Sequence, residues 1–239
     1  MAPAEAESPR SQAPPDMMAD RQAMVELQLV ARDIRNPAVL EAMRTVPRDA
    51  FVPPSLVDYA YDDGPLSIGS GQTISQPYVV AFMVAAVRPT AGDRALEIGT
   101  GSGYSAAVLG SIVREVYTIE RWAILADSAR RRLADLGYRN VHVRCGDGTL
   151  GWPEHAPYDA ILVTAGGPRV PKALLHQLAV GGRLVMPVGG ATRMQRLVRV
   201  TRADTHEYEY EDLEEVAFVP LIGAEGWPEE GATSCTSTF

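Results

Sequence analysis

Between Arg94 and Val188 short runs rich in Val, Ile and Leu take turns with longer segments whose apolar residues recur every three or four positions. The pattern predicts strand 94–98, helix 103–112, strand 116–119, helix 122–136, strand 141–145, strand 158–164, helix 171–178 and strand 183–188. Such β–α alternation makes an α/β fold with a parallel, doubly wound sheet. Arg196–Thr201 and Val216–Leu221 read as two further strands around a polar turn, added antiparallel at the end of the sheet. Upstream, helical spacing starts at Arg21, with Met24, Leu27 and Val30–Ala31 on one face. Asn36–Pro37 opens a second helix, with Asn as cap, Pro in the first turn, and Leu40, Met43 and Val46 on one side until Pro47. These two segments predict an N-terminal helical cap. Residues 61–76 are rich in Gly, Ser and Asp without a strong period, and read as a loop entering an apolar helix over 78–87.

Residues 1–19 carry almost no large apolar side chains and bury too little to offset the entropy of ordering, so they read as a disordered leader. Residues 229–239 read as a flexible tail. Residues 20–228 then form a single domain: N-terminal helices and loop (20–90), a ligand-binding core (91–190) and C-terminal strands (191–228). No internal repeat is visible.

Composition narrows the class. A chain of 239 residues, 46% hydrophobic, can bury one substantial core. A net charge of −8 gives no overall attraction to nucleic acid or anionic membranes, and the Arg130–Arg132 run reads as a solvated helix face. No apolar stretch reaches the length of a membrane span, and the basic and apolar blocks of a secretory signal are missing. The two cysteines, Cys145 in an expected strand and Cys235 in the tail, do not suggest a disulfide framework. The expectation is a soluble, cytoplasmic protein, with a monomer the favoured state. His142, His155, His176 and His206 are isolated from one another and lack metal-ligand spacing, so no metal is expected.

The candidate chemistry begins at Leu96–Tyr104, where an apolar strand runs into a glycine-rich turn at the mouth of a helix. Gly99, Gly101 and Gly103 remove side chains where the backbone turns sharply and a ligand approaches its amides. A dinucleotide fingerprint places its third glycine three residues after the second, but Tyr104 holds that position, which disfavours a nicotinamide dehydrogenase. Glu97 at the strand end would also repel a pyrophosphate. S-Adenosyl-L-methionine, cationic at its amino and sulfonium groups and free of phosphate, fits better. Ligands of such sheets bind beyond the carboxyl ends of the strands, and two further strand ends carry acids. Glu120 is placed to accept hydrogen bonds from ribose hydroxyls. Asp147, flanked by Gly146 and Gly148, is placed to accept from the adenine amine. Each acid taken singly also reads as a solvated loop charge, and Trp122 reads either as flanking adenine or as core.

The pieces together resemble the protein-L-isoaspartate (D-aspartate) O-methyltransferases. The likeness runs from about Met24 to Trp227 and rests on Asn36–Met43, Gly71–Pro77, Leu96–Tyr104, Gly146–Pro153 and Phe218–Leu221. Glycine turns of this kind are common to many methyltransferases, whereas Thr73-Ile74-Ser75-Gln76-Pro77 beside a helix start is the discriminating element. The resemblance implies the S-adenosylmethionine-dependent methyltransferase fold, with cofactor contacts from Glu97, Gly99, Thr100, Gly101, Gly103, Glu120, Asp147 and Gly148. It makes Ser75 the active-site hydroxyl with Thr73 beside it, although a serine here could equally cap the following helix. It places Ile74, Gln76, Ala217, Phe218 and Val219 against the substrate, the last three pairing with an extended peptide through their backbone.

The implied activity is methylation of the free carboxylate of L-isoaspartyl, and by extension D-aspartyl, residues in damaged proteins, initiating repair through a succinimide. The implied partners are isoaspartyl-containing proteins and peptides. Two other readings stand beside it: a dedicated aspartyl O-methyltransferase tailoring one biosynthetic peptide, and a non-catalytic cofactor-binding module, against which the retained Thr73, Ser75, Glu97, Glu120 and Asp147 argue. Departures from the family pattern are Ser67 and Ser70 for Pro and His, Gly166–Gly167 for alanines, and Val180 for Pro.

Overall fold

A computed structural model of the chain describes residues 17–191 and 194–228. The central layer is a seven-stranded sheet. Its strands are β3 (Arg94–Ile98), β4 (Glu115–Glu120), β5 (Val141–Cys145), β6 (Tyr158–Val163), β7 (Leu178–Gly189), β8 (Gln195–Arg202) and β9 (Tyr208–Val216), in the order β5-β4-β3-β6-β7-β8-β9. Strands β3 to β7 pair in parallel, and β7–β8 and β8–β9 pair antiparallel. Sequence order reverses between β3 and β6, and this switch opens a crevice beyond their carboxyl ends.

Strand alternation builds a core on each face of the sheet. Ala160, Leu162 and Val185 join one apolar cluster, while their neighbours Ile161, Val163, Leu184 and Met186 join the other. Helices α4 (Tyr104–Gly110), α5 (Ala123–Asp135) and α6 (Lys172–Gln177) link the parallel strands. None of the helices among the described residues is long and apolar enough to cross a membrane.

The N-terminal cap starts with α1 (Met18–Met24), which continues as a π-helical turn (Val25–Leu29) and a 3-10 turn (Val30–Arg32). Helix therefore begins at Met18, inside the segment expected to be a disordered leader; residues 1–16 of that leader, and the tail from Glu229, lie outside the described residues. Asn36 caps α2 (Pro37–Thr45), its Oδ1 accepting from the amides of Ala38 (3.0 Å) and Val39 (3.2 Å). Arg48, fully buried, donates from Nε to the Ala60 carbonyl at 2.7 Å and stacks 4.9 Å from the Tyr104 ring centroid, fastening the cap to the first residue of α4.

Three expectations are corrected. The segment 61–76 is not all loop: β1 (Leu66–Gly69) and β2 (Gln72–Ile74) form an antiparallel hairpin, turned through Ser70 and Gly71 at φ 52° and 69°. Glycine and serine hid it, because strands this short need no apolar alternation. The last strand is not Val216–Leu221 but β9, whose carboxylates suit an exposed edge and pair with arginines of β8. Arg196 stands 3.6 Å from Asp212 and 3.7 Å from Glu215, and Arg199 pairs with Glu211. Cys145 is disulfide-bonded, which the cysteine count did not suggest.

Helix α3 (Pro77–Ala86) is apolar on nearly every side because it is covered on nearly every side. Tyr78, Val80, Ala81, Met83, Val84 and Ala86 are all buried. It carries the hairpin end at its N-terminus and holds it against the sheet.

Candidate active site

A cavity of about 670 Å³ opens at the switch point between β3 and β6. One wall is the loop after β3. Gly99, Gly101 and Gly103 have φ of 96°, 54° and 95°, a region open to glycine and costly for other residues. Gly99 has a second constraint, since a Cβ there would stand 2.4 Å from Thr164 Oγ1. That hydroxyl donates to the carbonyls of Gly99 (2.9 Å) and Ile98 (3.1 Å) and locks the loop to the end of β6. Arg132 reaches back from α5 to the Ser102 carbonyl at 2.8 Å, so this member of the arginine run serves the loop as well as the solvated face.

Glu120 closes the wall from the end of β4. It is 4% exposed, and its two oxygens accept from the Gly101 amide (2.8 Å) and the Trp122 amide (3.0 Å). Burial pushes its pKa up, while the backbone donors of Trp122, Gly101 and Arg121 pull it back. A carboxylate offers about four lone-pair sites, so both oxygens keep acceptor capacity toward the cavity.

Glu97 lies beneath this loop rather than on the cavity wall. It is fully buried, and its Oε2 accepts from Thr118 Oγ1 at 2.6 Å; Thr118 Oγ1 lies 2.6 Å from Thr100 Oγ1. Burial raises its pKa from the ordinary 4.5 to about 7, against the pull of the Thr118 hydroxyl. The folded protein therefore holds a proton that the unfolded chain has released between these values, and stability falls as pH rises through that window. The full shift corresponds to about 3 kcal/mol at roughly 1.4 kcal/mol per unit. Glu97→Gln is expected to flatten this part of the stability–pH profile between about pH 5 and 7, as measured by urea unfolding. An unchanged slope would exclude Glu97 as its source.

Asp147 is also off the cavity wall. Its Oδ1 accepts from the Thr149 amide (2.8 Å) and hydroxyl (2.6 Å), and its Oδ2 from the Ala224 amide (2.8 Å). The carboxylate thus fastens the C-terminal segment onto the loop after β5, a use the sequence did not suggest. Its neighbour Gly148 does line the cavity, and a Cβ there would stand 2.4 Å from Ile98 Cγ2. Gly103 stands behind the wall as the N-cap of α4, and Trp122 likewise caps α5 away from the cavity.

The opposite wall comes from the hairpin and the segment after β9. Thr73, Ile74, Ser75 and Gln76 all line the cavity. The cap residue of α3 is Gln76, not Ser75, and among the described residues Ser75 Oγ makes no hydrogen bond. Its hydroxyl is thus not spent on the helix. Gln76 Nε2 donates to Asp63 Oδ1 at 2.7 Å, tying the turn to the preceding loop.

Ala217, Phe218 and Val219 form the facing edge. They follow the last strand rather than belonging to it. Buried Gln195 takes both main-chain groups of Phe218: the amide donates to its Oε1 at 2.8 Å and its Nε2 donates to the carbonyl at 3.1 Å. The Val219 carbonyl accepts from the Gly166 amide at 2.8 Å. The glycine at 166 has a reason here, because a Cβ would stand 2.6 Å from Gln195 Nε2.

Seven other polar residues on the walls escaped the sequence reading: Arg32, Tyr78, Ser105, Arg121, Thr164, Glu214 and Glu215. Thr164 follows β6 and could have been found by the strand-end rule that found Glu120. Arg32, Tyr78 and Glu214 come from three distant segments with no local signal. Among the described residues no group of three or more His, Cys, Asp or Glu side chains is placed to hold a metal ion.

Comparison with known proteins agrees with this geometry. The family model for protein-L-isoaspartate(D-aspartate) O-methyltransferase matches residues 19–226. Protein-L-isoaspartate O-methyltransferase 2 of Pelobacter propionicus is 61% identical over 207 residues, which cover 87% of this chain and 92% of that protein. A solved protein-L-isoaspartate O-methyltransferase superposes with a TM-score of 0.79 at 31% identity, covering 86% of this chain and 67% of that one. A Plasmodium falciparum protein solved with S-adenosyl-L-homocysteine shares the fold, with a TM-score of 0.72 at 24% identity over 84% of this chain and 98% of that one. The chain belongs to the protein-L-isoaspartate (D-aspartate) O-methyltransferase family.

Proposed function

We propose that this protein transfers a methyl group from S-adenosyl-L-methionine to the free carboxylate of L-isoaspartyl residues in damaged proteins and peptides, with D-aspartyl residues as a second acceptor class. The observation that carries this reading is the uncommitted hydroxyl of Ser75 on the cavity wall opposite the glycine loop. The loop wall suits the cofactor: Cβ-free Gly99 and Gly148 leave a close backbone approach, and Glu120 keeps lone pairs for a vicinal diol.

When bound, S-adenosylmethionine supplies a methyl carbon made electrophilic by its sulfonium. The acceptor carboxylate is ionised at neutral pH, so the chain needs no general base. This agrees with a wall that presents hydroxyls rather than a histidine. Ser75 and Thr73 orient the carboxylate by donating to one oxygen, which leaves the other to attack in line. Holding the reacting atoms in register is the main contribution of such a site. Attraction between the anionic acceptor and the cationic donor is lost as their charges cancel, and the apolar lining from Ile74, Val80, Met83 and Val216 limits the water that would otherwise solvate them. Attack by the following backbone nitrogen on the product ester expels methanol and closes a succinimide, whose hydrolysis returns part of the residue to normal aspartate.

The Phe218 amide and carbonyl and the Val219 carbonyl already have partners, so we place main-chain pairing with a substrate strand at Ala217 and the Val219 amide. The test is methyl transfer to a short isoaspartyl peptide and to its aspartyl twin. We expect ester on the first and none on the second. A protein that ignores both and acts only on one particular precursor peptide would instead be a dedicated tailoring enzyme.

A further inference from the structure

The acceptor wall carries three charged side chains, Arg32, Glu214 and Glu215. Both carboxylates are engaged. Glu214 Oε1 accepts from the Tyr78 hydroxyl at 3.0 Å, and Glu215 stands 3.7 Å from Arg196. Arg32 is engaged through one nitrogen alone: Nη1 pairs with Asp63 at 3.1 Å, while Nε and Nη2 donate to nothing among the described residues.

The orientation of Arg32 is fixed by what lies under it. Its guanidinium carbon stands 3.6 Å from the centroid of the Tyr78 ring, and that ring is itself stacked on Phe82 with centroids 5.8 Å apart. Such stacking uses the face of the guanidinium and leaves its in-plane N–H donors at the edge, where they match a carboxylate. Asp63, the carboxylate that holds Nη1, also holds Gln76 beside Ser75. One acid therefore ties the cation and the hydroxyl-bearing turn to the same frame.

An anionic acceptor approaches a protein of net charge −8 through a mouth that carries Glu214 and Glu215. That field opposes entry, and a local cation is needed to offset it. We propose that Arg32 is an acceptor-recognition residue of this enzyme, an N–H of its Nε–Nη2 edge joining the Ser75 and Thr73 hydroxyls on one oxygen of the isoaspartyl carboxylate and leaving the other for the methyl group. The proposal rests on the reading of the cavity as an isoaspartate-methylating site.

The test is steady-state methylation of an isoaspartyl peptide by the wild-type protein, R32M, R32K and D63N at several salt concentrations, with cofactor affinity measured separately by calorimetry. R32M is expected to raise the peptide KM about ten-fold or more, with kcat and cofactor affinity within about two-fold. Relative to wild type, its kcat/KM should fall less, or rise more, with added salt, because the attractive charge being screened is gone and the repulsive ones remain. R32K should keep the salt dependence and recover part of the KM, and D63N, which loosens the frame but leaves the Arg32 charge in place, should raise the KM less than R32M and keep the salt dependence. These last two variants carry the test if R32M fails to fold.

A wild-type KM and salt slope in R32M overturn the proposal. So does a D63N that reproduces the whole loss, since Arg32 would then act only as a strut for Gln76. A wild-type protein inactive on the isoaspartyl peptide overturns the underlying reading as well, whereas an active wild type with an indifferent R32M overturns this inference alone.

Discussion

Ser75→Ala is expected to lower turnover on an isoaspartyl peptide by about ten- to a hundred-fold while leaving cofactor affinity nearly intact, the range that follows from losing a hydrogen bond to a charged group. The residue lines the cavity, its hydroxyl has no partner among the described residues, and the cap position of α3 belongs to Gln76. Removing the oxygen therefore leaves the local fold with every bond it had. The loss should fall on the chemical step, because a carboxylate held by one donor fewer spends less time in line with the methyl carbon. Single-turnover measurement with saturating cofactor isolates that step. A rate equal to wild type would take Ser75 out of the mechanism.

Glu120→Ala should act on the other half of the reaction. The carboxylate accepts from the amides of Gly101 and Trp122, and its loss strands both donors in a site where Glu120 itself is 4% exposed. The glycine loop then loses the acceptor that fixes its middle residue, and in the function proposed above the cofactor loses an acceptor for ribose hydroxyls. Unsatisfied buried amides cost about 1–3 kcal/mol each, so we expect cofactor affinity to fall by at least about a hundred-fold and the melting temperature to drop by several degrees. Glu120→Gln keeps one carbonyl acceptor and should lie between the two. Calorimetry that finds the wild-type dissociation constant in the alanine variant would sink the assignment.

The inner parallel strands were legible because burial on both faces forces continuous apolar runs, and the edge strand β5 because Val141, Val143 and Cys145 alternate with exposed His142 and Arg144. Strand β9 was not legible. An edge strand needs neither apolar alternation nor neutrality, and its carboxylates read as a polar turn until the arginines of β8 stand opposite them. The hairpin of β1 and β2 escaped for a related reason: four- and three-residue strands leave no period to detect. Among the acids at the strand ends, residue type and spacing identified all three as a set. Only Glu120 reaches the cavity wall, because Glu97 points into the layer beneath the loop and Asp147 turns toward Ala224.

By itself, the sequence determined the alternation of strands and helices from β3 to β7 and the glycine turn at 99–103, and the family resemblance set the Thr73–Ser75 element beside that turn. These are local matters: periodicity, positive φ and residue chemistry are properties of short stretches. The tertiary structure decided which polar groups are spent and which remain. Phe218 is claimed by Gln195, Asp147 by the C-terminal segment and Gln76 by Asp63, while Ser75 and one edge of Arg32 are left over. A hydrogen bond between residues far apart in the chain has no local signature, and whether a side chain is free for a substrate depends on just those bonds.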